Sequence, residues 1–519
     1  MSFIVMFLSF AQAAISAIRE IEETESLRVE TDVEIQNVKD DAKKQYENLK
    51  KEEEQEIQGI FNDMYNLFME KVTDFKDIGS ELMNEVIKGI REELPKMDRE
   101  IENAANAAIE ELNKKISDGI EKNRKGDFYI KTAPNKKVSV KLKNHKFRFG
   151  ANLFMLDEIP DDKEKNETYK VKFAEVFNMA TLPFYWQDLE PKKGFPRYDK
   201  NAEKIYRRPP IDLCMEFCKN HGIEPREHAL CYNAFFPDWL KNKPKDEEKF
   251  YIEKRMREIS ERYKNDMKTI EVTNEMWQNG KTDFYKDPEY IDFCFKTAEK
   301  YFPENTLAIN EWTGVWEGAG DPWDNYYAYI ESELLKGGRI DAIGMQYHVF
   351  VKKEEYFNKT RKLYDLNHLY DILLNYARFN KELQITEVTV PAFTEDIADE
   401  TLQADIIEKL YSLWFSFPNV SQIIYWNLID GYAAFTTPGD MSGGENYYRG
   451  GLLRFDLTEK PAYSRIKRLI KEVWTTNETL TADGSGLIKF RGFYGEYEIS
   501  DGNKTINVNF NEDKEEAEL

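Results

Sequence analysis

The chain has 519 residues, 41% of them apolar and 14% aromatic, enough for two or three domains. A net charge of −23 excludes a nucleic-acid partner, which needs a basic footprint, and leaves neutral polymers as candidates. Four cysteines (Cys214, Cys218, Cys231, Cys294) make neither a disulfide scaffold nor a zinc site at these spacings.

In chain order, residues 1–14 open on FIVMFLSF (Phe3–Phe10) and AQA (Ala11–Ala13), the pattern of a secretory signal, which predicts a secreted, extracellular protein. No Lys or Arg precedes the apolar run, so a frayed apolar helix start is the alternative. The run is too short to cross a bilayer, and no membrane span is expected. Residues 15–125 are charged and poor in Gly and Pro. Leu82, Val86, Ile90, Leu94, Met97, Ile101, Ala105, Ala108, Leu112, Ile116 and Ile120 follow at steps of three and four. That spacing predicts long, coiled-coil-like helices, broken near Pro95, suited to self-association or anchoring. An amphipathic pair docked on a neighbour has the same pattern.

Residues 126–147 switch to alternation, as in VSVKL, and predict a small β segment. Over residues 148–475 strand and helix patterns alternate. The strands are FRFGANL, MATLPFYW, REHALCYN, TIEVTNEM, TLAINEW, DAIGMQYH, LQITEVTV and QIIYWNLI, with amphipathic stretches between them. The fold class is α/β, a (β/α)₈ TIM barrel. A doubly wound sheet is the rival, but no GxGxxG turn follows the first strand. Residues 476–512 predict a second small β segment, and 513–519 an acidic tail without fixed structure.

Polar residues at the C-terminal ends of barrel strands read as site residues. Two acids stand out, Glu275 on the fourth strand and Glu387 on the seventh. These strands oppose each other across a closed barrel, so their carboxyls could flank one glycosidic bond. Apolar Met276 and Trp277 would raise the Glu275 pKa, and donors near Glu387 would keep it ionised. Asn274, His228 and Asn233 would hold sugar hydroxyls, while Gln346 and His348 orient Glu387. Trp186, Tyr232, Trp312, Tyr347 and Trp426 are ring-stacking candidates, though each also suits core packing.

With these residues the sequence resembles glycoside hydrolase family 10, the endo-β-1,4-xylanases. VTNEM matches the family's acid/base motif, ITE the nucleophile motif and MQYH its Gln-x-His. WQDLEP, His228 and YWNLID match further motifs. The resemblance covers roughly residues 147–474. It implies a retaining hydrolase of xylan or a related plant β-glycan, with Glu387 as nucleophile and Glu275 as acid/base. Its partner is then a polysaccharide, and no metal or cofactor is implied. Four departures concern the substrate. The second strand ends in a shorter, apolar LPFYW (Leu182–Trp186). Asn233 replaces a histidine, Thr389 an aspartate, and Ala433-Ala434-Phe435 a Ser-Trp pair. A hydrolase for a different β-glycan, or a weakened glycan-binding protein, are the alternatives.

Overall fold

The computed structural model describes residues 107, 109–276, 280–317 and 325–519. The chain divides into two compact units, 1–115 and 116–519. The signal pattern, the Pro95 break and the coiled-coil-like repeat up to residue 106 lie outside the described residues. Of the predicted helical region, 109–123 is helix. Among the described residues no helix is long and apolar enough to cross a membrane.

In the second unit, β1 (Lys125–Lys131) and β2 (Lys137–His145) precede the barrel. The barrel strands are β3 (Arg148–Asn152), β4 (Met179–Pro183), β5 (Glu224–His228) and β6 (Thr269–Asn274), then β7 (Thr306–Glu311), β8 (Ala342–His348), β9 (Glu382–Thr389) and β10 (Val420–Tyr425). They close in the order β10-β3-β4-β5-β6-β7-β8-β9, and adjacent barrel strands pair parallel throughout. Residues such as Ile270, Val272, Ile343, Ile385 and Ile423 are fully buried, as strands covered on both faces require.

Side chains on a regular strand alternate between faces, but two strands here break the alternation. The β6–β7 register shifts between Glu271 and Thr273, and β8–β9 between Met345 and Gln346 on the β8 side. Such bulges re-aim the residues that follow them. Glu271 and Asn274 thereby share the lumen, as do adjacent Thr386 and Glu387.

After the barrel come β11 (Asn477–Thr481), β12 (Leu487–Phe493), β13 (Gly495–Ser500), β14 (Thr505–Phe510) and β15 (Glu516–Glu518). They do not stand apart from β1 and β2. One sheet runs β12-β1-β15 and the other β11-β2-β13-β14, with Phe128, Val140, Phe490, Tyr497 and Phe510 buried in a common core. The acidic tail expected to lack structure instead forms β15, which pairs with β1 at Tyr129–Lys131. Its acids stay exposed while an open sheet edge gains backbone partners. The β layer meets the barrel at the strand N-termini. The Arg124 guanidinium donates to the carbonyls of Phe415, Phe417 and Val420, and Trp474 stacks on Phe415 at 4.4 Å. The opposite end of the barrel is left for the site.

Candidate active site

Glu275 follows the end of β6 in a left-handed backbone conformation (φ 50°). Its amide donates to Asn310 O at 3.2 Å, and Tyr285 donates to its carbonyl at 2.9 Å. These contacts fix an unusual backbone and aim the side chain. Glu275 Oε2 accepts from the Tyr232 hydroxyl, and Oε1 from Gln346 Nε2 at 3.1 Å.

Glu387 is 3% exposed. Its Oε1 accepts from Asn310 Nδ2 at 3.0 Å, and its Oε2 faces His348 Nε2 at 3.1 Å. Asn310 Nδ2 also donates to Asn274 Oδ1 at 2.9 Å, and Gln346 Nε2 to the same oxygen at 3.2 Å. One line of hydrogen bonds therefore joins the two acids through Gln346, Asn274 and Asn310. Thr386 donates to Asn310 Oδ1 at 2.7 Å and so sets which way that amide points. Gly344 makes room for it, since a Cβ there would lie 2.4 Å from Asn310 Oδ1.

Beneath the acids lies a charged cluster. The Glu271 carboxylate pairs with the Arg226 guanidinium and accepts from His228 Nδ1 at 2.8 Å. Side-chain atoms of His228, Glu271 and Glu387 come within 4.8 Å of one another. Burial works against the Glu271 charge, but His228 and Arg226 outweigh it and hold the carboxyl below its usual range. Burial likewise lowers the His228 pKa, and Glu271 reverses the shift, leaving it raised.

The Glu387 carboxyl is pushed upward, although the donors near it were expected to keep it ionised. Burial lifts it well above the ordinary carboxylate range, Glu271 and Glu275 add to this, and His228 and Arg226 oppose it. Glu275 itself is half-buried.

Trp426 sits between the two histidines, its ring 5.6 Å from both His228 and His348. Beside it Phe154, Tyr185, Tyr232 and Phe235 form an aromatic wall, stacked at its edge by Phe435, which is 88% exposed. Trp312 is 48% exposed at the end of β7.

Four expectations need correction. His228 Nε2 is bonded to the Tyr185 hydroxyl at 3.0 Å, so both its ring nitrogens have protein partners. Asn233 accepts from Lys281 N and Thr282 N and donates to Thr282 Oγ1, holding the 281–282 loop rather than the cleft. Tyr347 is fully buried against Trp316 and Trp414, because strand alternation turns it away from its neighbours Gln346 and His348. Trp186 is buried against Phe236 and Trp239, with Nε1 donating to Glu190 at 2.9 Å. The Asn274 Oδ1 accepts from Asn310 and Gln346, and its Nδ2 has no protein partner among the described residues.

The profile of glycosyl hydrolase family 10 matches residues 147–469, over half of the chain. This chain belongs to glycosyl hydrolase family 10. Its similarity to the anti-sigma-I factor RsgI6 of Acetivibrio thermocellus is 25% identity over 405 residues, 76% of this chain and 46% of that protein. The endo-1,4-beta-xylanase A of Halalkalibacterium halodurans is 25% identical over 324 residues, 54% of this chain and 74% of that protein. Native xylanase 10B from Thermotoga maritima shares the fold, at TM-score 0.51 and 20% identity over 63% of this chain and 96% of that one. The chain spans under half the length of RsgI6 and of the Xylanibacter ruminicola endo-1,4-beta-xylanase/feruloyl esterase, 46% and 38%.

Several residues of this family 10 barrel escaped the sequence reading. Asn310, within the strand pattern TLAINEW, was assigned no role. Tyr232 was read as a stacking ring, and its hydroxyl is what touches Glu275. Glu271 carried a usable signal, an acid inside the β-branched run TIEVT, since a buried charge must be paired. Nothing in the sequence pairs it with Arg226, or Tyr185 with His228.

Proposed function

We propose that this barrel is a retaining glycosidase that cleaves internal β-1,4 linkages of xylan or a related plant β-glycan. The observation that carries this is the hydrogen-bonded line that joins Glu275 and Glu387 across the barrel mouth. Glu387 attacks the anomeric carbon while Glu275 gives its proton to the departing glycosidic oxygen. Glu275 then takes a proton from water, which displaces Glu387 from the covalent intermediate. The free Asn274 Nδ2 is placed for a sugar hydroxyl beside the scissile bond, and Trp312 offers a face for a ring. A polymeric substrate is in keeping with an extracellular location, and the apolar spacing of the N-terminal sequence with self-association or anchoring.

Product analysis on xylan, mixed-linkage glucan and defined xylo-oligosaccharides tests the substrate class. Release of xylo-oligosaccharides from xylan is expected, and release from glucan alone would reject it. Glu275→Ala should slow natural linkages by about 10²–10⁴-fold. An aryl xyloside whose leaving group needs no protonation should lose far less in its first step. Equal losses on both substrates would remove Glu275 from the acid role. Tyr232→Phe takes one of two donors from the Glu275 carboxyl and should lower kcat/KM about tenfold with the fold intact, as rates and a thermal melt would report.

A second reading, a protein that binds glycan without cutting it, is favoured by one observation. The side chains of His228 and Asn233 are committed to protein partners. The relative named as an anti-sigma factor, similar beyond residues 147–469, is consistent with such a role. Retention on insoluble xylan with no soluble product would favour this reading over the first.

A further inference from the structure

His348 has two partners. Nε2 lies 3.1 Å from Glu387 Oε2, and Nδ1 lies 2.9 Å from Thr389 Oγ1. A neutral imidazole donates from one nitrogen and accepts at the other. Thr389 can do either, because a hydroxyl both donates and accepts. We propose that Thr389 is a positioning residue that lets His348 hydrogen-bond Glu387 in both of its protonation states, by an exchange of imidazole tautomers.

When Glu387 is ionised, Nε2–H donates to Oε2 and the Thr389 hydroxyl donates to Nδ1. When Glu387 is protonated, its O–H donates to Nε2 and Nδ1–H donates to Thr389 Oγ1. The proton sits on Oε2 because Oε1 already faces the Asn310 donor. Ionisation removes one proton from the site. The Oε2 hydrogen passes to Nε2, the Nδ1 hydrogen leaves to water by way of the Thr389 hydroxyl, and that hydroxyl turns to donate back. In both states each ring nitrogen of His348 and the Glu387 Oε2 keep a partner. An aspartate at 389 could only accept. It would pin the hydrogen on Nδ1, so ionised Glu387 would face a doubly protonated ring.

The surroundings keep the ring neutral and place both states of Glu387 within reach. Burial pushes His348 down to about 4, with Glu445 and Glu275 opposing that shift and His228 adding to it. Glu387 is faced by His228 and Arg226 from β5 and by Glu271 and Glu275 on and after β6, and burial raises its pKa. The consequence for catalysis rests on Glu387 being the nucleophile, but the tautomer exchange does not.

The two are tested separately. The sequence holds five histidines, so the ring signals of the ¹⁵N-histidine-labelled full chain can be assigned to His348 with a His348→Gln variant. Solid-state ¹⁵N spectra across a pH titration should give a neutral ring with Nδ1 protonated on the acid side and Nε2 on the alkaline side. A single tautomer throughout, or a doubly protonated ring beside ionised Glu387, would overturn the proposal whether or not the protein turns over xylan. In pH profiles of kcat/KM on a xylo-oligosaccharide, Thr389→Asp should move the acid limb to lower pH by about one pH unit or more. Thr389→Ser should match the wild type. An unmoved limb in a folded Thr389→Asp protein, or a displaced limb in Thr389→Ser, would also overturn it. Should Thr389→Asp not fold, the titration and Thr389→Ser decide. Absence of hydrolysis by the wild type counts against the hydrolase reading alone.

Discussion

Glu387→Gln should lower kcat on xylo-oligosaccharides by about 10⁴-fold or more, because an amide cannot form the covalent glycosyl intermediate. The variant should also be more stable than the wild type near neutral pH. The native Glu387 carboxyl is raised above its usual range, chiefly by burial. A raised acid contributes its stability at low pH, in its protonated form, and loses it as pH climbs from the unfolded value through the folded one. The amide carries no such penalty, and it can still hydrogen-bond Asn310 and His348. The gap in melting temperature should therefore be near zero in acid and widen toward neutrality. Near-normal turnover in the variant would remove Glu387 from the nucleophile role. A melting gap that does not grow with pH would contradict its burial.

Glu271→Ala has the largest effect expected on the fold itself, a loss of about 3–5 kcal/mol. Arg226 is fully buried and His228 nearly so, and Glu271 is the carboxylate paired with both. Removing it strands a cation in the barrel interior. The double variant Arg226→Met/Glu271→Leu should lose less than the two single changes added together, because it leaves no charge unpaired. The pH dependence has two sides. Glu271 is depressed by its partners, so its contribution is present above its unfolded pKa and fades as pH falls through the folded one. His228 is raised by Glu271, so its contribution is present at low pH and fades as pH rises through its folded value. The stability difference from wild type, read from guanidinium denaturation, should be greatest between those limits. A loss under about 1 kcal/mol would mean that the cluster relaxes or takes in water.

The part of the site legible in the sequence is the part set by short-range pattern. Asn274, Glu275, Gln346, His348 and Glu387 each sit at the polar end of an apolar strand, and the barrel rule aims such ends at one mouth. Strand alternation also contained the correct answer for Tyr347, because Gln346 and His348 on either side of it cannot face the lumen unless Tyr347 faces away. Trp186 was not legible in this way. It lies in a short helical turn, Trp186–Leu189, after β4, where strand alternation no longer applies.

The order of polar strand ends and the eight strand–helix alternations pointed, by themselves, to a (β/α)₈ barrel with two acids at its mouth. Local periodicity suffices for that, because each run need only bury its own apolar residues against its neighbours. Only the tertiary structure decided which polar groups meet. The register of β6 on β5 puts Glu271 beside His228, and the register shift in β9 puts both Thr386 and Glu387 in the lumen. Contacts between distant segments closed His228 with Tyr185 and gave Asn233 to the 281–282 loop. Such partners are chosen by packing between elements far apart in the chain, and no spacing along one strand records them.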